Sequence, residues 1–331
     1  MNATTTCTER SEVESASADP RAAGERPTDA DLAAARTRIT AALAPTPVVA
    51  ARSRDAWLKL ENLQITGSFK VRGALNAIAR GVEAGDTRAI VAASAGNHGQ
   101  GVAWAARRFG LSACVVVPRD APRAKVEGCR ALGAEIVVGG DGYESCWALA
   151  HRLAAERGAR LVHAFDDPDV IAGQATVGFE IAVFAPDVVL VPVGGGGLAA
   201  GVGLALRDRD VEVVGVQVEG ADGLRRALRG QAPVPPAATL ADGLRVATAG
   251  ALTTRLCAIV LADVITVGED EVYAAVRRLA IDEHLVVEGA GAVAFAALGR
   301  VRARRPLAII TGGNIDPDKL TAALVGGTCG V

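Results

Sequence analysis

Lys59-Leu60-Glu61-Asn62-Leu63-Gln64-Ile65-Thr66-Gly67-Ser68-Phe69-Lys70-Val71-Arg72-Gly73-Ala74 is the stretch on which the reading of this chain turns. An apolar strand ends near Glu61, a glycine-bearing turn follows, and Lys70 falls in the first turn of a helix. The same unit recurs downstream. Apolar, β-rich runs at 56–61, 88–93, 113–117, 135–138, 160–163, 188–193, 212–218, 264–267 and 307–310 predict strands. Ala/Leu/Arg-rich segments of helical period predict helices at 69–79, 98–109, 123–131, 143–157, 168–184, 198–206, 223–228, 269–282 and 291–298. The alternation predicts an α/β fold with a mainly parallel sheet, and strands apolar throughout predict helices on both faces.

Lysine is scarce: positions 59, 70, 125 and 319 are the only four among 35 basic residues. Where arginine is the default cation, a retained lysine points to use of the amine, because an ammonium can lose its proton and a guanidinium cannot. Taken alone, a lysine is more often a surface group than a nucleophile. At a helix N-terminus, however, the positive end of the dipole disfavours the ammonium. A neutral amine forms a Schiff base with an aldehyde, and pyridoxal phosphate is the commonest aldehyde cofactor.

Three further segments carry chemistry. Ala92-Ala93-Ser94-Ala95-Gly96-Asn97-His98-Gly99-Gln100-Gly101 joins a strand to a helix through small residues, which suits a carboxylate on free N–H groups. His98 by itself is more often a packed or capping histidine. Val191-Pro192-Val193-Gly194-Gly195-Gly196-Gly197-Leu198-Ala199-Ala200-Gly201 permits a nest of amides around a phosphate. It also fits a dinucleotide fingerprint, Gly195-x-Gly197-x-x-Ala200 with Glu219 ending the next strand, so a nicotinamide oxidoreductase competes at this point. Ile310-Thr311-Gly312-Gly313-Asn314-Ile315 offers a hydroxyl and glycines after a strand, in isolation a simple turn.

Composition narrows the classes. The net charge is -2 and the arginine-rich stretches look like solvated helix faces, which argues against nucleic acid. Six cysteines show no CxxC and no Cys/His ligand spacing, which fits a reducing cytoplasm and argues against zinc. Residues 1–27 have no secretory signal and read as a disordered tail. The longest uncharged stretch runs from Val188 to Leu206, but Pro192 and its glycines read as strand, loop and helix rather than a membrane span.

Together the segments resemble the threonine/serine dehydratase (ammonia-lyase) group of fold-type II pyridoxal-phosphate enzymes, most closely the short catabolic threonine dehydratases without a regulatory domain. The shared motifs are KLENLQITGSFKVRGA, AASAGNHGQGVA, VPVGGGGLAAG, ADGL (241–244), EDEV (269–272), VVEGAGAVAFAAL (286–298) and TGGNID (311–316). The dinucleotide reading explains only one of these. The resemblance implies two open twisted α/β domains, tryptophan synthase β-like: a large cofactor domain at 28–79 and 159–331, a smaller one at 80–158, and the site in their cleft. It implies that Lys70 holds the cofactor and shuttles the α-proton, that Phe69 packs on the ring, and that Asn97 bonds the phenolic oxygen. Gly194, Gly195, Gly196 and Gly197 with Leu198 would hold the phosphate. Gly243 would cover the ring, Glu288 would lie near the cofactor, and Thr311 would meet the pyridine nitrogen where relatives usually have Ser. Ser94, Ala95, Gly96, Asn97 and His98 would take the substrate carboxylate. The implied reaction converts L-threonine or L-serine, through an aminoacrylate-type product, to a 2-oxo acid and ammonia in a cytoplasmic homo-oligomer, dimer or tetramer.

Departures shape the substrate. Racemising relatives carry a second serine where this chain has Ala95, so dehydration is expected over racemisation. Relatives acting on β-carboxylated substrates place arginine where this chain is expected to have Cys146, so a neutral β-hydroxy amino acid is expected, including bulkier ones. Metal-dependent relatives use Glu and Asp at positions matching Gln217 and Gly223, so no divalent site of that kind is expected; a monovalent cation on backbone carbonyls stays open. Between Pro47 and Leu58 the chain is shorter than the family pattern. A racemase and a β-replacement synthase are the alternatives within the fold.

Overall fold

The computed structural model of the chain describes residues 25–94 and 96–326. The expected tail therefore falls outside the described residues as far as residue 24, and so do Ala95, Cys7 and Cys329. The strands are β1 (Val48–Ala50), β2 (Trp57–Leu60), β3 (Ile90–Ala93), β4 (Ala113–Val117), β5 (Glu135–Val138), β6 (Arg160–Leu161), β7 (Val188–Pro192), β8 (Glu212–Val218), β9 (Asp263–Val267) and β10 (Pro306–Ile310). The helices are α1 (Asp29–Ala42), α2 (Lys70–Glu83), α3 (Asn97–Arg108), α4 (Arg123–Ala131), α5 (Gly142–Glu156), α6 (Pro168–Ile181), α7 (Gly197–Leu206), α8 (Gly223–Leu228), α9 (Ala251–Val260), α10 (Glu269–Ile281), α11 (Gly289–Ala296) and α12 (Pro317–Val325).

Two sheets form, one of six strands in the order β1-β2-β10-β7-β8-β9 and one of four in the order β5-β4-β3-β6. Every pairing is parallel except β1 on β2. In the larger sheet Leu58, Leu190, Val216 and Ile310 face a core with Val276 and Phe295. Val189, Val191, Leu307 and Ile309 face the other core with Ile171 and Val202. Each apolar strand thus feeds two cores, as expected of parallel strands covered on both sides. The smaller sheet is likewise packed on both faces. Among the described residues no helix is long and apolar enough to cross a membrane.

The structure corrects the sequence reading at several points. The boundary expected after residue 158 is too early, because β6 pairs with Ile90 and Val91 in the four-stranded sheet. Strand β1 and helices α1, α9 and α12 were not expected. Helix α6 ends at Ile181, and the turn Ala182–Phe184 tightens into a 3-10 helix.

All four chemistry-bearing segments leave the carboxyl ends of parallel strands: β2 leads to the Lys70 turn, β3 to Ser94, β7 to Gly194 and β10 to Thr311. Ligands of open α/β sheets bind at that end. Helix α3 closes on the start of α2, where a Cβ at Gly101 would stand 3.0 Å from the Val71 amide nitrogen.

Candidate active site

The turn before Lys70 is zipped to the segment after β10. Phe69 N–H donates to Thr311 O at 3.2 Å, Gly313 N–H donates to Gly67 O at 2.9 Å, and Ser68 bridges Gly312. Gly67 turns the chain at a φ of +71°. Lys70 then begins α2, and its Nζ lies 5.3 Å from the centre of the Phe69 ring. That amine donates to Ala164 O at 2.8 Å. Among the described residues Lys70 is the one lysine with no carboxylate within ion-pair distance. Burial pushes its pKa down to about 8, against the pull of Glu288.

Beneath it the same motif builds an ion network. Arg72 donates through Nε and Nη2 to Glu61, both at 2.8 Å, and through Nη1 and Nη2 to Glu180 at 2.6 and 2.9 Å. Lys59 Nζ donates to Glu180 and to Thr46 O at 2.5 and 2.7 Å, and Thr46 Oγ1 bonds Glu61. Two cations and two anions cancel, and the network anchors α2 two residues past Lys70.

The four glycines after β7 form a cradle that side chains would fill. A Cβ at Gly195 would run into the Phe165 ring, one at Gly194 would stand 3.2 Å from Gly243 O, and Gly196 sits at a φ of +94°. Thr253 Oγ1 donates to Gly195 O at 2.7 Å and Thr253 N–H to Asp166 Oδ1 at 2.9 Å, so the loop's carbonyls are held from behind. The amides of Gly197 and Leu198 open α7, where first-turn N–H groups have no helical partner. His163 Nδ1 accepts from Phe165 N–H and Asp166 N–H at 3.1 and 2.7 Å, fixing the segment whose Ala164 carbonyl meets Lys70. These features fit an aldehyde cofactor with a phosphate: an amine that no carboxylate holds and, across the cleft, an anion cradle.

The loop after β3 reaches this cleft from the smaller sheet. Ser94 Oγ accepts from Gly96 N–H at 3.1 Å. Asn97 Nδ2 donates to Glu288 Oε1, and Asn97 Oδ1 accepts from Asn314 Nδ2 at 2.8 Å. The His98 ring turns into the protein, Nε2 donating to Val162 O at 3.1 Å. Burial pushes its pKa down to about 3, so only its backbone amide is available to a substrate carboxylate. Cys146 is a correction to the expected specificity position. It is buried under Gly139 and Val116 in the core beside the smaller sheet, so it cannot meet a substrate. Trp147, the next residue of α5, packs against the same core and has its ring centre 4.5 Å from that of His163. Ala95 lies outside the described residues.

Thr311 and Gly243 both border Ala290, and Glu288 N–H donates to Gly312 O at 3.1 Å. Thr311 is buried beside Phe69, with Oγ1 3.4 Å from Ala290 O, and Gly243 packs on Gly194. Gln217, at the position expected to replace a metal ligand, donates from Nε2 to Val193 O and Ala221 O and accepts from Arg225 N–H. Sequence reasoning missed Asp166, Thr253, Asn314, Lys125 and Asp242. Lys125 could have been found by the scarcity that singled out Lys70.

Residues 39–312 match the family model described as pyridoxal-phosphate dependent enzyme. The chain is 45% identical over 271 residues to the L-threonine ammonia-lyase of Thermotoga maritima, covering 79% of this chain and 68% of that protein. Among solved structures it resembles a T.th. threonine deaminase, with a TM-score of 0.81, 38% identity, and 88% and 99% of the two chains covered. It also resembles a pyridoxal 5'-phosphate-dependent aspartate racemase, with a TM-score of 0.84, 34% identity, and 89% and 98% covered.

Proposed function

The chain belongs to the pyridoxal-phosphate dependent enzyme family, and on that premise we propose that its cleft eliminates the β-hydroxyl of L-threonine or L-serine, releasing a 2-oxo acid and ammonia. It is an ammonia-lyase. The observation that carries the reading is the Lys70 amine, set at a helix start and left without a carboxylate partner.

When bound, the cofactor supplies an electron sink that acidifies the substrate α-carbon and lets the β-hydroxyl depart. Lys70 would hold its aldehyde carbon and would carry the substrate α-proton at Nζ. The amides of Gly194 to Gly197 and Leu198 would hold the phosphate, Phe69 and Gly243 would flank the ring, and Asn97 would donate to its phenolic oxygen. Thr311 offers a neutral hydroxyl to the pyridine nitrogen; a neutral partner stabilises less charge than a carboxylate, which favours prompt loss of the β-group over a long-lived carbanion. Ser94, Gly96, Asn97 and the amide of His98 bind the substrate carboxylate.

The racemase alternative is supported by the shared fold but lacks a proton carrier at Ala95. Four buried free thiols, at Cys114, Cys129, Cys146 and Cys257, support a reducing cytoplasmic setting. Exposed Leu63, Ile65 and Val286 support assembly as a homodimer or tetramer.

The test is 2-oxo acid and ammonia release from L-threonine and from L-serine by protein supplied with pyridoxal phosphate. Release from either supports the lyase. An enantiomer formed as fast as any 2-oxo acid, or product only with an added nucleophile, overturns it in favour of the racemase or the synthase.

A further inference from the structure

Lys125 lies on α4, in the four-stranded unit, yet its ammonium is spent on the other unit. Its Nζ stands 3.0 and 3.2 Å from the two oxygens of Asp242 and 3.1 Å from Glu288 Oε2. Lys125 is 5% exposed and Glu288 2%. Asp242 is shared with Lys319 of α12 at 3.4 Å. Glu288 in turn accepts from Asn97, and the stem of Lys125 lies against Gly96. Two residues of the proposed carboxylate loop are thus tied to the seam that Lys125 closes.

We propose that Lys125 is a positioning residue: by bridging Asp242 and Glu288 it straps the smaller unit onto the larger and fixes the Gly96–Asn97 loop opposite Lys70. The inference rests on the reading given above. An ionised carboxylate only accepts, so Glu288 holds the Asn97 amide in one orientation, Nδ2 toward itself and Oδ1 toward Asn314. A protonated Glu288 also donates and frees that amide to turn. The charged groups facing Glu288 are Lys125 from α4, Asp242 and, from α2, Lys70; Lys319 stands behind Asp242. Burial already raises the Glu288 pKa, and Lys125 is the cation opposing that rise. Removing it moves Glu288 toward the proton-bearing form.

The test compares Lys125→Met and Lys125→Arg with the wild type, as holoenzymes. In Lys125→Met, KM for the substrate rises about tenfold or more while kcat changes less, because the binding-competent arrangement is less populated. Its acid limb of activity moves up by about one pH unit or more, and Lys125→Arg restores most of both. In the apoprotein, Lys125→Met speeds hydrogen exchange at residues 94–101 and leaves β7 and β10 protected; this readout needs no turnover, so it separates failure of the strap from failure of the lyase reading. If Lys125→Met does not fold, Asp242→Asn loosens the same seam: KM and loop exchange rise by less, while the acid limb moves down rather than up, because a negative charge beside Glu288 is lost. A lowered melting temperature with KM, pH profile and loop exchange unchanged overturns the proposal.

Discussion

Lys70 and Lys125 come from the two units of the fold, both feel the charge of Glu288, and have opposite fates. Lys125 is held by two carboxylates, and their charges outweigh the cost of burial and push its pKa up. Lys70 has only a carbonyl as partner, and burial pushes it down to about 8. Lys59 adds a third case. Burial lowers its pKa too, but it remains bonded to Glu180. A lowered pKa alone therefore does not mark a nucleophile; the distinguishing feature of Lys70 is an amine that no carboxylate holds.

Exchanging each lysine for arginine is the severest way to break this contrast. Lys70→Arg keeps the charge but not the removable proton, so turnover falls on the order of 10^4-fold, whereas Lys125→Arg stays within about tenfold of wild type; steady-state kinetics on both decide it. The next largest effect sharpens the structural side. Lys59→Met leaves Glu180 with one fewer cation and costs about 3–5 kcal/mol of stability, measured by denaturant unfolding, while the cofactor is still captured at Lys70.

The charge state of Lys70 sets the third expectation. Its folded pKa is depressed, so the reactive neutral amine is the minor form below about 8 and the major form above it. Capture of pyridoxal phosphate by the apoprotein should rise about tenfold per pH unit below that value and level off above it, followed by absorbance in a stopped-flow instrument. A rate flat across this range would mean that Lys70 is neutral or blocked throughout. The smallest effect is expected at Gly96→Ala. The added methyl meets the stem of Lys125 at 2.9 Å, a flexible chain that can shift, so KM rises only a few-fold, about twofold to fivefold.

Local signals were legible in the sequence. The strand–turn–helix units, the four glycines and the lysine at a helix start each depend on neighbours a few residues away. Helix α1 had such a signal in Thr28 and Asp31, which cap one another at its start, and α12 had Asp316-Pro317. What stayed hidden depends on long-range pairing. Whether Lys125 is free or paired is decided by Asp242 and Glu288, more than a hundred residues away in sequence. The motif around His98 fixes its backbone amide, but the burial of its ring against the carbonyl of Val162 depends on a partner 64 residues away. Cys146 aligned with a specificity position by spacing alone, and the helix turned it into a core. The strand expected at 160–163 fell on the wrong side of the boundary because its pairing with Ile90 and Val91 is long-range.

The central claim is that, of two buried lysines in one cleft, only Lys70 is available to an aldehyde. The most direct measurement is borohydride reduction of the protein loaded with pyridoxal phosphate, followed by peptide mapping by mass spectrometry. One pyridoxyl group on the peptide containing Lys70, with Lys125 unlabelled, is the predicted result. A label on Lys125, or none on Lys70, would contradict it.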